Sequence, residues 1–166
     1  AAPFDRYLTA DVVRAAALSS RANEITLYTG NDDNILIDLS ATYEFVKNGK
    51  LYSKKFEGGL LGHWSVWTCA AVQLFQKIKE KRLPPEKLLT LAVQITDANS
   101  AFFDTANGFR GCIAGLHEVL RRQKLFEGIW CIDPEETLSE GQKEEIDRVY
   151  EMYPELNDDA FIQAHI

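Results

Sequence analysis

The sequence predicts an α/β fold with a helix-rich tail, on three observations. Short β-rich segments alternate with helical patterns in the first half of the chain. An Asn48-Gly49 pair sits between apolar residues at strand spacing. Beyond Trp64 the apolar residues recur at helical spacing.

Thr9 is placed to cap a first helix over residues 10–19, with Val12, Val13, Ala16 and Ala17 on its apolar side. Glu24 to Thr29 reads as a short strand running into the polar turn Gly30-Asn31-Asp32-Asp33. Ile35, Leu36, Ile37 and Leu39 predict a brief helix. Tyr43 and Phe45, then Tyr52 and Phe56, flank Asn48-Gly49 and predict a β-hairpin over 43–56, because Asn-Gly readily adopts the turn that matches strand twist. The apolar, glycine-rich run Gly58 to Trp64 reads as a buried strand with close backbone neighbours.

Trp67, Ala71, Leu74 and Ile78 form one helical stripe. Leu83-Pro84-Pro85 ends it, and Pro85 suits the first position of a second helix carrying Leu88, Leu91, Ile95 and Phe102, with Gly108 as its stop. Phe109, Ile113, Leu116 and Leu120 mark a third. Gly128 to Ile132 reads as extended, and Asp133-Pro134 as a turn. Ser139 with Gln142 forms a capping box for a helix bearing Ile146, Val149, Tyr150 and Tyr153, and Asn157 is placed to cap a last one.

The 166 residues are enough to bury a sizeable core, which argues against disorder or a disulfide-stapled miniature. No apolar run reaches membrane-spanning length, and Ala1 to Arg6 lack the pattern of a signal peptide, so no membrane partner is expected. Net charge is −7, unevenly spread. Residues 126–166 carry 12 acidic and 2 basic side chains, whereas the first 125 are slightly basic. That acidic end argues against nucleic-acid binding. Lys77, Lys79, Lys81 and Arg82 form the one basic cluster, read as a solvated helix end. Cys69, Cys112 and Cys131 show neither CxxC nor zinc spacing, so reduced, buried thiols and a cytoplasmic location are expected. No cofactor motif and no metal-ligand spacing occur.

Two stretches can carry chemistry. Gly30, Asp32 and Asp33 follow a strand, where α/β proteins bind ligands. Glycine admits a substrate to the backbone, and carboxylates accept hydrogen bonds from hydroxyl or amino groups. The competing structural reading makes Asp32 or Asp33 the cap of the next helix. Gly62, His63 and Ser65 end the second apolar run. His63 suits a base, a donor or a satisfied strand-end histidine, and Ser65 suits a helix cap or a substrate contact. The lysines of 47–55 and 77–87 all read as solvated, and none has the desolvated setting that imine chemistry needs.

Taken in order, Ala2-Pro3-Phe4-Asp5-Arg6-Tyr7, Leu27-Tyr28-Thr29-Gly30-Asn31-Asp32-Asp33-Asn34, Gly58-Gly59-Leu60-Leu61-Gly62-His63-Trp64 and Gly128-Ile129-Trp130-Cys131 with Leu138-Ser139 resemble the C-terminal half of the dihydrodipicolinate synthase and N-acetylneuraminate lyase family of class I aldolases. The resemblance is nearest to its dihydrodipicolinate synthase-like branch. It implies the C-terminal part of a TIM (β/α)8 barrel: residues 1–82 as the last barrel units with a hairpin insertion at 43–56, and residues 83–166 as a helical extension.

It also implies a lyase or aldolase acting on a 2-oxo acid such as pyruvate through a lysine Schiff base, without cofactor or metal. Gly30, Asp32 and Asp33 match the substrate loop of the seventh strand, and Gly62, His63 and Ser65 that of the eighth. No catalytic residue is expected in this chain, because the lysine would lie upstream of Ala1. The N-terminal half of the barrel would be supplied by a longer polypeptide or by another copy of the chain, and a homo-oligomer is implied. The hairpin is longer than the family's usual connection, and His63-Trp64 replaces smaller residues. The rival expectations are a helix-rich interaction or regulatory domain, whose acidic tail meets a basic partner, and a degenerate barrel without activity.

Overall fold

A computed structural model describes residues 5–60 and 62–166. It is an α/β structure with a small three-stranded mixed sheet and mostly helical remainder. Ala1 to Phe4 and Leu61, which belong to the resembling stretches, lie outside the described residues. The described chain divides into two compact units. One comprises residues up to Leu60 with Phe75–Ala92, the other Gly62–Leu74 with Val93–Ile166.

The first unit opens with helix α1 (Arg6–Leu18). Its cap is Asp5, whose Oδ1 accepts from the Leu8 amide at 2.9 Å, four residues before the expected Thr9. Thr9 lies inside the helix, buried, and donates its hydroxyl to the Asp5 carbonyl. Thr9, Val13, Ala16 and Ala17 form the buried stripe.

Strand β1 (Leu27–Thr29) is shorter than expected because Ala22–Glu24 turn as a single 3₁₀ segment. Helix α2 (Ile35–Ser40) follows, then strands β2 (Thr42–Lys47) and β3 (Lys50–Gly59). Asn48 and Gly49 both have positive φ, 51° and 73°, as their turn requires.

The sheet order is β1-β3-β2. The first half of β3 pairs antiparallel with β2, and its second half runs parallel to β1, with Thr29 opposite Gly59. Glu57 is the extra residue of a bulge between the Leu27–Phe56 and Tyr28–Gly58 partners. Gly58 has no side chain because the Tyr28 ring lies over it, 2.9 Å from where a Cβ would stand. Val13, Ile35, Leu36, Leu39 and Phe56 are buried in the core of this unit.

The expected strand over 58–64 ends at Gly59. Leu60 is exposed, and Gly62–Ser65 form a 3₁₀ turn that begins the second unit. Helices α3 (Thr68–Lys79) and α4 (Pro85–Phe102) contribute residues to both units, and Pro85 takes the first helical position as expected. Trp67 belongs to the predicted stripe but precedes α3, with φ 49°.

In the second unit Trp67 is buried, with its ring edge-on to Phe102 at 4.9 Å and to Tyr150 at 5.1 Å. Helices α5 (Cys112–Arg122), α6 (Gln142–Met152) and α7 (Asp159–Gln163) complete it, and Ile95, Ala98, Val119, Ile146 and Val149 fill its core. The amide of Gln142 ties three backbones together. Its Nε2 donates to the Gly111 carbonyl at 2.9 Å, and its Oε1 accepts from the Ser139 amide at 3.0 Å. The latter is half of the predicted capping box. Ser139 turns its hydroxyl instead to Asp104, at 2.5 Å.

Gly108 does not stop α4, which ends at Phe102; its φ of 64° closes the short turn Thr105–Asn107. Gly128 to Ile132 form an irregular segment without strand pairing, with Trp130 and Ile132 exposed. Both departures follow from tertiary contacts: Phe102 is drawn into the core, while nothing among the described residues pairs with the later segment. The three cysteines are free, and each is half-buried rather than buried.

Candidate functional site

At the carboxyl end of β1 the chain leaves the sheet through Gly30 and Asn31, turns through Asp32–Asn34 and enters α2. Asp38 lies three residues into that helix, amid Ile35, Leu36 and Leu39, and is 1% exposed. A carboxylate buried in apolar surroundings must be paired. Its Oδ1 accepts from the Arg6 guanidinium at the start of α1. Its Oδ2 accepts from Thr29 Oγ1 at 2.8 Å and from Asn31 Nδ2 at 3.4 Å. Thr29 Oγ1 also accepts from the Asn31 amide at 3.2 Å.

These bonds leave one acceptor over. Asn31 is 3% exposed, and its Oδ1 has no hydrogen-bond partner among the described residues. A buried amide oxygen without a donor is unfavourable by about 1–3 kcal/mol, and a hydroxyl or amino group arriving at the strand end would relieve it. The Tyr43 hydroxyl is likewise buried without a partner. Burial pushes its phenol upward, and the Asp38 charge adds to the shift.

Around this centre Gly30 is exposed, Asp32 half-buried and Asp33 exposed. These three predicted residues therefore share one turn, beside the Leu60 amide that donates to the Thr29 carbonyl at 3.0 Å. The second predicted group, Gly62, His63 and Ser65, shares one 3₁₀ turn of the other unit. His63 is 4% exposed, with Nδ1 at 2.8 Å from Asn99 Oδ1. Burial pushes its imidazole below the ordinary value and so favours the neutral ring, against the opposing effect of the Asn99 bond. Ser65 is exposed, and the cap expected of it comes from Asp158, whose Oδ2 accepts from the Cys69 amide at 2.7 Å.

No family model, curated protein or solved structure matches this chain.

Sequence reasoning passed over Arg6, Asn31 and Asp38. The signal for Asp38 was present: a lone carboxylate in Ile35-Leu36-Ile37-Asp38-Leu39. Its partner Arg6, 32 residues away, carried no local signal. Among the described residues no group of three or more His, Cys, Asp or Glu side chains is placed to hold a metal ion, and no helix is long and apolar enough to cross a membrane.

Proposed function

We propose that the chain forms the last β/α units and the helical extension of a (β/α)8 barrel in the dihydrodipicolinate synthase and N-acetylneuraminate lyase family. The barrel is a cytoplasmic homo-oligomer that cleaves or condenses a 2-oxo acid such as pyruvate through a lysine imine. The observation that carries this reading is the parallel pairing of β1 with β3, strands that follow one another in the chain through α2 and the antiparallel hairpin strand β2; the pairing sets Thr29 opposite Gly59 at the strands' carboxyl ends. Parallel strands joined through a helix are the repeating unit of such barrels, and their active sites lie at that end.

In this function Gly30 admits substrate to the backbone, and Asp32 and Asp33 accept hydrogen bonds from its hydroxyls. Asn31 Oδ1, the buried acceptor in the same turn, takes a further donor. In the other predicted group Ser65 is the exposed hydroxyl. His63, buried on Asn99, positions the Gly62–Ser65 turn. The lysine that forms the imine lies outside this chain.

Borohydride trapping with pyruvate, read by intact mass, tests the assignment. The 166-residue chain gives no adduct. A polypeptide that also carries the residues preceding Ala1 gives one, mapping to a lysine in those residues. An adduct on a lysine of this chain overturns the placement of the nucleophile, and no adduct on the longer polypeptide with any 2-oxo acid overturns imine chemistry.

One observation favours a second reading, an interaction domain. Trp130 and Ile132 stand exposed, at 72% and 106%, in the segment between α5 and α6 of the acidic tail. Replacing Asp32 and Asp33 by Asn separates the two. Loss of ligand binding supports the barrel enzyme. Retained binding and turnover, together with loss of assembly in Trp130→Ala, supports the interaction domain.

A further inference from the structure

The first unit contains a cavity of about 250 Å³ between the end of α2, the later half of β3, the end of α3 and the beginning of α4. Its floor is apolar. Phe56, held edge-on by Tyr43 at 6.0 Å, meets Phe75, Ile78 and Leu88 there. Its polar lining includes three lysines, Lys55, Lys79 and Lys81, against one acid, Glu57.

The lysines are not equivalent. Lys55 Nζ lies 3.5 Å from Glu57 Oε2, so that pair is largely self-neutralised. Lys79 Nζ sits over the Phe75 ring, 5.5 Å from its centroid, which holds an ammonium above the apolar floor. Lys81 has no acidic partner among the described residues. The neighbouring acid Glu80 is engaged by Arg82 and Gln76.

Lys81 also occupies an unusual backbone position. The Arg82 amide donates to the Lys77 carbonyl at 2.9 Å and the Lys81 amide to the Ile78 carbonyl at 3.0 Å. This pair of bonds ends α3 with Lys81 at the left-handed position, φ 53°, where glycine is ordinarily found. A lysine there is conformationally unfavourable, and the side chain it adds lines the cavity.

We propose that this cavity is a binding site for a small amphipathic carboxylate, with the alkyl or aryl part on Phe56, Phe75, Ile78 and Leu88 and the carboxylate between Lys79 and Lys81. The complementarity is of two kinds in one place: an apolar floor from which a bare inorganic anion gains nothing, and two cations without acidic partners among the described residues, which a neutral alcohol cannot engage. A volume of this size accommodates about eight water-sized groups, the bulk of a six-carbon carboxylate. The site is independent of the strand-end turn at Gly30 to Asp33 and does not rest on imine chemistry.

The test is a titration of the ¹⁵N-labelled full chain with sodium hexanoate, with 1-hexanol and inorganic phosphate as the two controls. Hexanoate is expected to shift amides of residues 55–57 and 75–83, and at least tenfold more tightly than either control. The Lys79→Gln, Lys81→Gln double variant, altered only at exposed side chains, is expected to weaken hexanoate at least tenfold and leave hexanol unchanged. A second variant, Lys81→Gly, is expected to raise Tm while still weakening hexanoate. No hexanoate shifts in this region, equal affinity for phosphate, or undiminished hexanoate binding by the double variant each overturns the proposal.

Discussion

Thr29 Oγ1 donates to Asp38 Oδ2 at 2.8 Å, tying the last residue of β1 to the helix that follows. With Arg6 on the other oxygen, Asp38 joins α1, β1 and α2 through one buried carboxylate. Breaking a buried ion pair costs about 3–5 kcal/mol when a charge is left stranded. Arg6→Ala leaves Asp38, 1% exposed, without its counter-charge and is expected to lose about 3 kcal/mol, whereas in Asp38→Ala the remaining Arg6 is 44% exposed and rehydrates, so that about 1 kcal/mol is lost, the Thr29 hydrogen bond included. Urea unfolding with an unchanged m-value checks both. Equal losses would mean that the carboxylate stranded by Arg6→Ala carries no burial penalty.

His63 makes stability depend on pH. Its folded pKa is lowered by burial, so the unfolded state binds more protons below the ordinary histidine value of about 6.5. Stability is full above that pH and falls as pH drops below it, by up to about 1.4 kcal/mol per pH unit. Asp97 acts lower on the scale. The Arg148 guanidinium holds its carboxyl below the usual 3.8, so its contribution is present above that pH and is lost as pH falls through the lowered value. Unfolding measured between pH 7.5 and 5.5 isolates the histidine. His63→Gln is expected to flatten that window, and an unchanged slope would assign it to other groups.

Gly115 marks a close helix approach in the second unit. A Cβ there would stand 2.1 Å from the Phe102 carbonyl oxygen and 2.5 Å from Gln142 Nε2. Backbone must move to admit a methyl group, so Gly115→Ala is expected to destabilise by about 3 kcal/mol, despite alanine's better helix propensity. Thermal unfolding reads the sign directly: stabilisation would show that α5 shifts freely.

Lys81→Gly removes a left-handed lysine from the end of α3, where φ is 53°. Relief of that conformation is expected to stabilise by about 1 kcal/mol. Denaturant midpoints compare it with Lys81→Gln, which retains the Cβ and is expected to change stability by less than about 0.5 kcal/mol.

The hairpin was legible because its information is local. Asn48-Gly49 dictates a two-residue turn, and the flanking apolar residues alternate at strand period. The start of α1 was not, because Asp5 and Thr9 are both competent caps and the choice depends on Thr9 being buried, a tertiary fact. Trp67 matched a helical stripe by spacing, yet its ring enters the core from a left-handed residue ahead of the helix. The turn of Gly30, Asp32 and Asp33 was visible as a motif. Its buried centre was not, because Arg6 and Asp38 meet only when two helices pack on the same strand.

Composition, helical periodicity and turn residues therefore determined the α/β class, the hairpin and most of the helices, since each depends on neighbours within a few positions. Folding in three dimensions set the parallel register of β1 on β3, the burial of His63 on Asn99, the pairing of Asp38 and the lysine-lined cavity. Those features join residues tens of positions apart, and burial, which no local window reports, sets their energies.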